Sequence, residues 1–419
     1  MASRIARYDN PLRAMEFTRE PGDYRIESHG LVAADSGNSQ ATLWLPRGER
    51  PRTVVSLLHP QANFTRHYAV PPLLEAGHAV FAHNSRCLGN DSTAVHEQLL
   101  MDAAAGLLRL RDLGFERIVL LGNSGGGSLY SYYLQQAALP PEQRVADTPA
   151  GPTPLGGAGG DLRKIEMPMA DAVVFLAAHP GEGDFLLQVI DASVSDESDP
   201  ASCLPSLDLY DAANGFCLPP GETRYTDEFV ERYRAGQRAR VERIDARARK
   251  ILGVRTAALE RLAEQPDDRD AWRAATADTL LTTYRTEADP RCVDLTLDPS
   301  ARDYGSLFDH RPDLINYNPR GFARTTTPEA WLSTWSGLSS RASFARCGSG
   351  MTIPALMINY TGDNAIFPSE AEAIFESLGS ADKKFVELPG DHYGHPLAGS
   401  DAWGRDLALA EITDWLAGL

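Results

Sequence analysis

Residues 117–138, RIVLLGNSGGGSLYSYYLQQAA, restrict this chain more than any other stretch. An apolar, β-rich run leads into Gly122-Asn123-Ser124-Gly125-Gly126, and a helix-like pattern begins at once. A G-x-S-x-G pentad between a strand and a helix makes a sharp turn, in which the glycines two before and two after relieve the clashes of a strained serine. The hydroxyl is then exposed at the carboxyl end of a sheet, beside a helix N-terminus that favours negative charge. Ser124 is therefore the candidate nucleophile. A dinucleotide-binding turn is the competing reading, but GNSGGG does not fit G-x-G-x-x-G and no phosphate-loop Lys-Ser/Thr follows.

The surrounding sequence supplies a sheet for this turn. Strand-like segments occur at Tyr24–Asp35, Ala41–Leu45, 53–60 (TVVSLLHP), 78–84 (HAVFAHN), 117–122 and 171–181 (DAVVFLAAHPG). They return at 353–362 (IPALMINYTG) and 383–390 (KKFVELPG). Between them lie helical patterns at His96–Leu113, Gly126–Ala138 and Asp401–Ala417. Such alternation predicts βαβ units and a parallel sheet. Residues 139–168, dense in Pro and Gly, read as a long mobile surface excursion.

The alternation stops between about 185 and 345. Thr226–Arg261 reads as one or two helices with Phe229, Tyr233, Val241, Ile244, Ala248 and Ile251 on one face. Asp270–Arg285 is a second helical candidate. Residues 327–337 are a third, with Thr327 as N-cap and Pro328 at the first helical position. The expected organisation is an α/β core, 1–184 and 346–419, interrupted by a mostly helical insert, 185–345.

With these residues in place, the sequence resembles an α/β-hydrolase fold serine hydrolase over roughly 50–184 and 350–419. The resemblance implies a mostly parallel sheet flanked by helices, with the insert as a cap or lid after the sixth strand. The GNS-glycine elbow is also similar to that of the meta-cleavage-product C–C hydrolases, with Gly125 where those usually carry Met.

A serine hydroxyl needs a base to take its proton and a carboxylate to orient the base. The fold's chain order is serine, acid, histidine. The acid is expected after strand 353–361, where TGDN supplies Asp363; the base is expected after the last strand, where PGDHYGHP supplies His392. His395 competes with His392, and Asp391 and Glu387 are fallback acids with poor reach. The oxyanion hole is expected from the amides of Gly125 and Gln61; Pro60 has no N–H to give. His59 and His179, which end strands, are expected to line the pocket, as is His83. Trp331 and Trp335, four apart and so on one helix face, read as packing or as a substrate wall.

Composition narrows the partners. With 40 Lys+Arg against 57 Asp+Glu the net charge is −17, which disfavours a nucleic-acid or anionic-membrane partner. Arg224–Arg261 is locally basic, with 11 Lys+Arg against 6 Asp+Glu. Its charges read as a solvated face with pairs such as Glu228–Arg232, or as arginines reaching toward an acidic substrate. No run is long and apolar enough for a membrane span, the start lacks a signal-peptide core, and five scattered cysteines suit a reducing, cytoplasmic setting. No cofactor or metal motif is present; HEQLL at 96–100 is not H-E-x-x-H.

The expected activity is hydrolysis of a carboxylic ester or lactone, on a small-molecule substrate that is bulky and largely apolar. Alternatives are C–C bond hydrolysis of a diketone, acyl transfer or amide cleavage, and a catalytically silent ligand-binding fold.

Overall fold

The structure, a computed structural model, describes residues 15–17, 19–151, 160–319 and 321–419. The N-terminal start and residues 152–159 of the Pro/Gly-dense excursion lie outside the described residues.

Eight strands form one sheet: β1 (Tyr24–Val32), β2 (Asn38–Pro46), β3 (Thr53–His59), β4 (Ala79–Asn84), β5 (Arg117–Asn123), β6 (Ala172–Leu176), β7 (Ala355–Tyr360) and β8 (Lys383–Leu388). Their order is β1-β2-β4-β3-β5-β6-β7-β8. The β1–β2 and β2–β4 pairings are antiparallel and every other pairing is parallel. The strand expected at Ala41–Leu45 is nine residues long, because it pairs with β1 along its whole length.

Period-2 geometry sends successive side chains to opposite faces, and both faces are covered here. Val54, Leu58, Leu120, Val173 and Met357 join one buried cluster; Val55, Leu57, Leu121, Val174 and Leu356 join the other. That is why β3, β5, β6 and β7 read as unbroken apolar runs rather than alternating ones. The first cluster is closed by α2 (His96–Asp112) and α3 (Gly125–Ala138), the second by α1 (Val70–Glu75) and a final helix, Gly404–Ala417. This mostly parallel, helix-flanked sheet with its strand order has the α/β-hydrolase fold.

The chain between β6 and β7 carries α4 (Glu182–Val189), α5 (Asp227–Glu264) and α6 (Arg269–Thr276). The stretch read as one or two helices is a single one of 38 residues, whose N-cap Thr226 accepts from the Phe229 amide. The helix expected over Asp270–Arg285 ends at Thr276, and Leu281–Thr282 then pairs with Thr325–Thr326 in a two-residue ribbon. Beyond α4, α5 and α6 the described segment holds short helical turns, such as Pro312–Ile315, Pro328–Ala330 and Trp331–Trp335, joined by irregular chain. Buried side chains supply the bonds that helices would have made. Arg302, for example, donates to the carbonyls of Arg291, Leu297 and Asp298.

The inward arginines of α5 have internal partners. Arg240 bonds Glu197 and the Asp191 carbonyl, Arg234 bonds Asp289, and Arg255 bonds Glu329 and Asp278. These three knit the segment together, and Arg232 lies over the Phe229 ring.

Residues 327–336 lie against the core. Thr327 caps as expected, but the following turn widens to an i→i+5 bond from Ser336 N to the Trp331 carbonyl. Trp331 Nε1 donates to Asp245 of α5 and Trp335 Nε1 to the Asp91 carbonyl. Ser333 donates to the buried Glu97 of α2, and Thr334 to the Ala94 carbonyl. No helix among the described residues is long and apolar enough to cross a membrane.

Candidate active site

Ser124 follows β5 as the N-cap of α3 at φ 52°, ψ −123°, a conformation costly for any residue with a Cβ. Its amide donates to the Leu176 carbonyl and its own carbonyl accepts from Gly127 N, which fixes the turn. The glycines are required by close approach. A Cβ at 122 would lie 2.7 Å from the Gly126 carbonyl oxygen and from Gly127 Cα. The Asn123 side chain braces the turn, bonding the Leu176 carbonyl and His67 Nε2.

Two loops at the carboxyl edge of the sheet bring the partners. His392, in the loop after β8, places Nε2 3.2 Å from Ser124 Oγ. Its Nδ1 is 2.8 Å from Asp363 Oδ2, after β7. Asp363 Oδ1 accepts from the amides of Ala365 and Ile366, so the carboxylate is held from both sides. Burial opposes charge on His392, but the Asp363 charge and hydrogen bond, with Asp391 behind them, outweigh it and raise the imidazole above its ordinary pKa. His395 pairs with Asp391 instead, which separates both from the serine.

The expected oxyanion donors divide. Gly125 follows the serine at the start of α3. Gln61 N donates to His59 Nδ1 at 3.2 Å, and Ala62 N donates to the same atom at 3.0 Å. Two amides on Nδ1 leave the imidazole proton on Nε2, and burial with neighbouring histidines keeps the ring neutral. His59 Nε2 lies 3.0 Å from where a Gly125 Cβ would be.

His179 is also at the site, buried, with its pKa lowered by burial to about 3. It stacks on Phe185, which meets Phe322, which in turn stacks on Trp335. Trp335 thus belongs to an aromatic wall leading from the site, whereas Trp331 packs against α5. His83 is a core residue: it bonds Ser39 Oγ and packs against Gly106 of α2.

Glu182, at the first position of α4, escaped the sequence reading. It is 1% exposed, its Oε2 is 3.7 Å from His179 Nε2, and its Oε1 has no hydrogen-bond partner among the described residues. Burial, with the nearby charge of Asp91, raises its pKa to about 8. Carboxyl and imidazole are therefore both neutral at pH 7, and their approach is not an ion pair. The available signal was a pair of carboxylates, Glu182 and Asp184, just past a strand end in the run HPGEGDFLL.

No family model matches the sequence, and no curated protein matches it significantly. Solved structures similar to the chain include DcsB, determined with its substrate analogue, at 12% identity and TM-score 0.46, covering 94% of this chain and 97% of the other. The esterase domain of a Rhodothermus marinus protein gives 13% and 0.43, over 93% and 97%. The α/β hydrolase GrgF from Penicillium sp. sh18 gives 13% and 0.46, over 94% and 98%.

Proposed function

We propose that this chain is a serine hydrolase that cleaves a carboxylic ester or lactone through an acyl-enzyme. The observation that carries the reading is the unbroken chain from Ser124 Oγ through His392 to Asp363, set on a strained elbow. Ser124 Oγ attacks the carbonyl carbon as His392 Nε2 takes its proton. Asp363 stabilises the imidazolium, which then protonates the departing alkoxide. A water deprotonated by His392 attacks the acyl-enzyme and releases the acid and Ser124. The wall of Phe185, Phe322 and Trp335 supports a bulky, apolar substrate.

The oxyanion, on this reading, meets the Gly125 amide and the Nε2–H of His59. The Gln61 and Ala62 amides act behind it by fixing the tautomer of His59. In His59→Ala, kcat is expected to fall by about 10²–10³, the usual loss of one such donor. A kcat within threefold of wild type would return the role to the Gln61 amide.

The reading is tested by a fluorophosphonate, with the adduct located by peptide mass spectrometry, beside a panel of esters, lactones and a ring-fission dienone. Adduct on Ser124 and turnover of esters or lactones are expected. No adduct, or turnover of the dienone alone, would overturn the ester reading.

A further inference from the structure

Gly125 poses a question that the proton relay does not answer. The residue after the nucleophile contributes its amide, and a side chain there would normally be free to line the pocket. Here none fits. A Cβ at 125 would collide with Glu182 Oε1 and would lie 3.1 Å from its Cδ. The volume that a side chain beside the nucleophile would fill holds the carboxyl of another residue.

The backbone that carries that carboxyl is held by its packing. It begins α4, whose neighbouring glycines abut the insert: a Cβ at 181 would lie 2.5 Å from the Ala342 carbonyl oxygen, and one at 183 would lie 2.8 Å from that of Ser336. Burying a carboxyl with an unsatisfied oxygen is costly, and an apolar side chain would fill the same space without that cost. A bond completed only when substrate arrives accounts for both the burial and the vacancy in its hydrogen bonding.

We propose that Glu182 is a specificity residue of the serine site, its unpartnered Oε1 side hydrogen-bonding an oxygen substituent, hydroxyl or oxo, on the carbon next to the scissile carbonyl. This rests on the serine-hydrolase reading and narrows it to 2-oxygenated acyl groups. The ionisable groups facing Glu182 are His179 and His59, both neutral, and Asp91, whose charge adds to the effect of burial. The carboxyl is thus protonated at pH 7 and presents an O–H, which it loses as pH rises past about 8.

The experiment compares kcat/KM for a 2-oxoacyl aryl ester, whose oxo oxygen can only accept, and its unsubstituted counterpart, each corrected for spontaneous hydrolysis. Wild type, Glu182→Ala and Glu182→Gln are measured from pH 6.5 to 9.5. Wild type is expected to prefer the oxoacyl ester by about tenfold, the scale of one buried hydrogen bond. That preference should decline above pH 8, vanish in the alanine variant, and persist without pH dependence in the glutamine variant, which keeps a donor that does not ionise.

No preference in wild type, or a preference that survives in Glu182→Ala, overturns the proposal. Should the alanine variant not fold, the glutamine variant decides alone: a persisting alkaline decline of its preference overturns the proposal. Fluorophosphonate labelling of the same wild-type sample separates the two levels. Adduct without preference rejects the role of Glu182, whereas neither adduct nor ester turnover rejects the hydrolase reading itself.

Discussion

Ser124→Ala is expected to lower kcat/KM by about 10⁵–10⁶ while leaving the fold intact. The loss is large because the base and the acid act through one atom, Oγ, and without it they have no proton to move. What remains is the modest rate enhancement of a hole that still polarises the carbonyl. Alanine retains the Cβ and therefore the strain at φ 52°. It removes a single hydrogen bond to His392, so the melting temperature should shift by only a few degrees. Progress curves at high enzyme concentration, with mass spectrometry after fluorophosphonate treatment, check both parts. Retained turnover above 1% would mean another residue is the nucleophile.

Asp363→Asn is expected to cost about 10⁴ in kcat, and the reason lies in the backbone. Oδ1 of Asp363 accepts from the amides of Ala365 and Ile366, so the oxygen of an asparagine must stay on that side. Its NH₂ then faces His392 Nδ1, a position at which wild type has an acceptor. The imidazole answers by accepting at Nδ1 and carrying its proton on Nε2, toward Ser124 Oγ, where it can no longer act as a base. The geometry survives and the tautomer is wrong. A pH–rate profile of kcat with one ester, beside wild type, is the measurement; a loss under tenfold would show that the acid is not Asp363.

The relay was legible in the sequence because each member sits where a strand ends, and strand ends are marked by turn residues. Ser124 follows RIVLLGN, Asp363 follows ALMINYTG and His392 follows KKFVELPGD. The buried sheet was legible for a related reason: strands covered on both faces carry uninterrupted apolar runs. Other features depend on contacts that no local pattern encodes. Whether the Gln61 amide is free or taken up by His59 Nδ1 depends on one side-chain rotamer. Glu182 is far from Ser124 in sequence, and neither the glycine at 125 nor the HPGEGDFLL run says that the two meet. The irregular chain of the insert is held by buried arginines whose acceptors are backbone carbonyls, and carbonyls are the same in every sequence. The amphipathic period of α5, by contrast, was readable, and the structure places its apolar residues inward.

The fit between positions 125 and 182 also couples what each can carry. Losing the carboxyl at 182 leaves glycine at 125 beside an open space. Gaining a side chain at 125 requires the carboxyl to swing away from where it now stands. A substitution at either position therefore acts on the other, so Gly125→Ala displaces the Glu182 carboxyl without touching the glutamate itself.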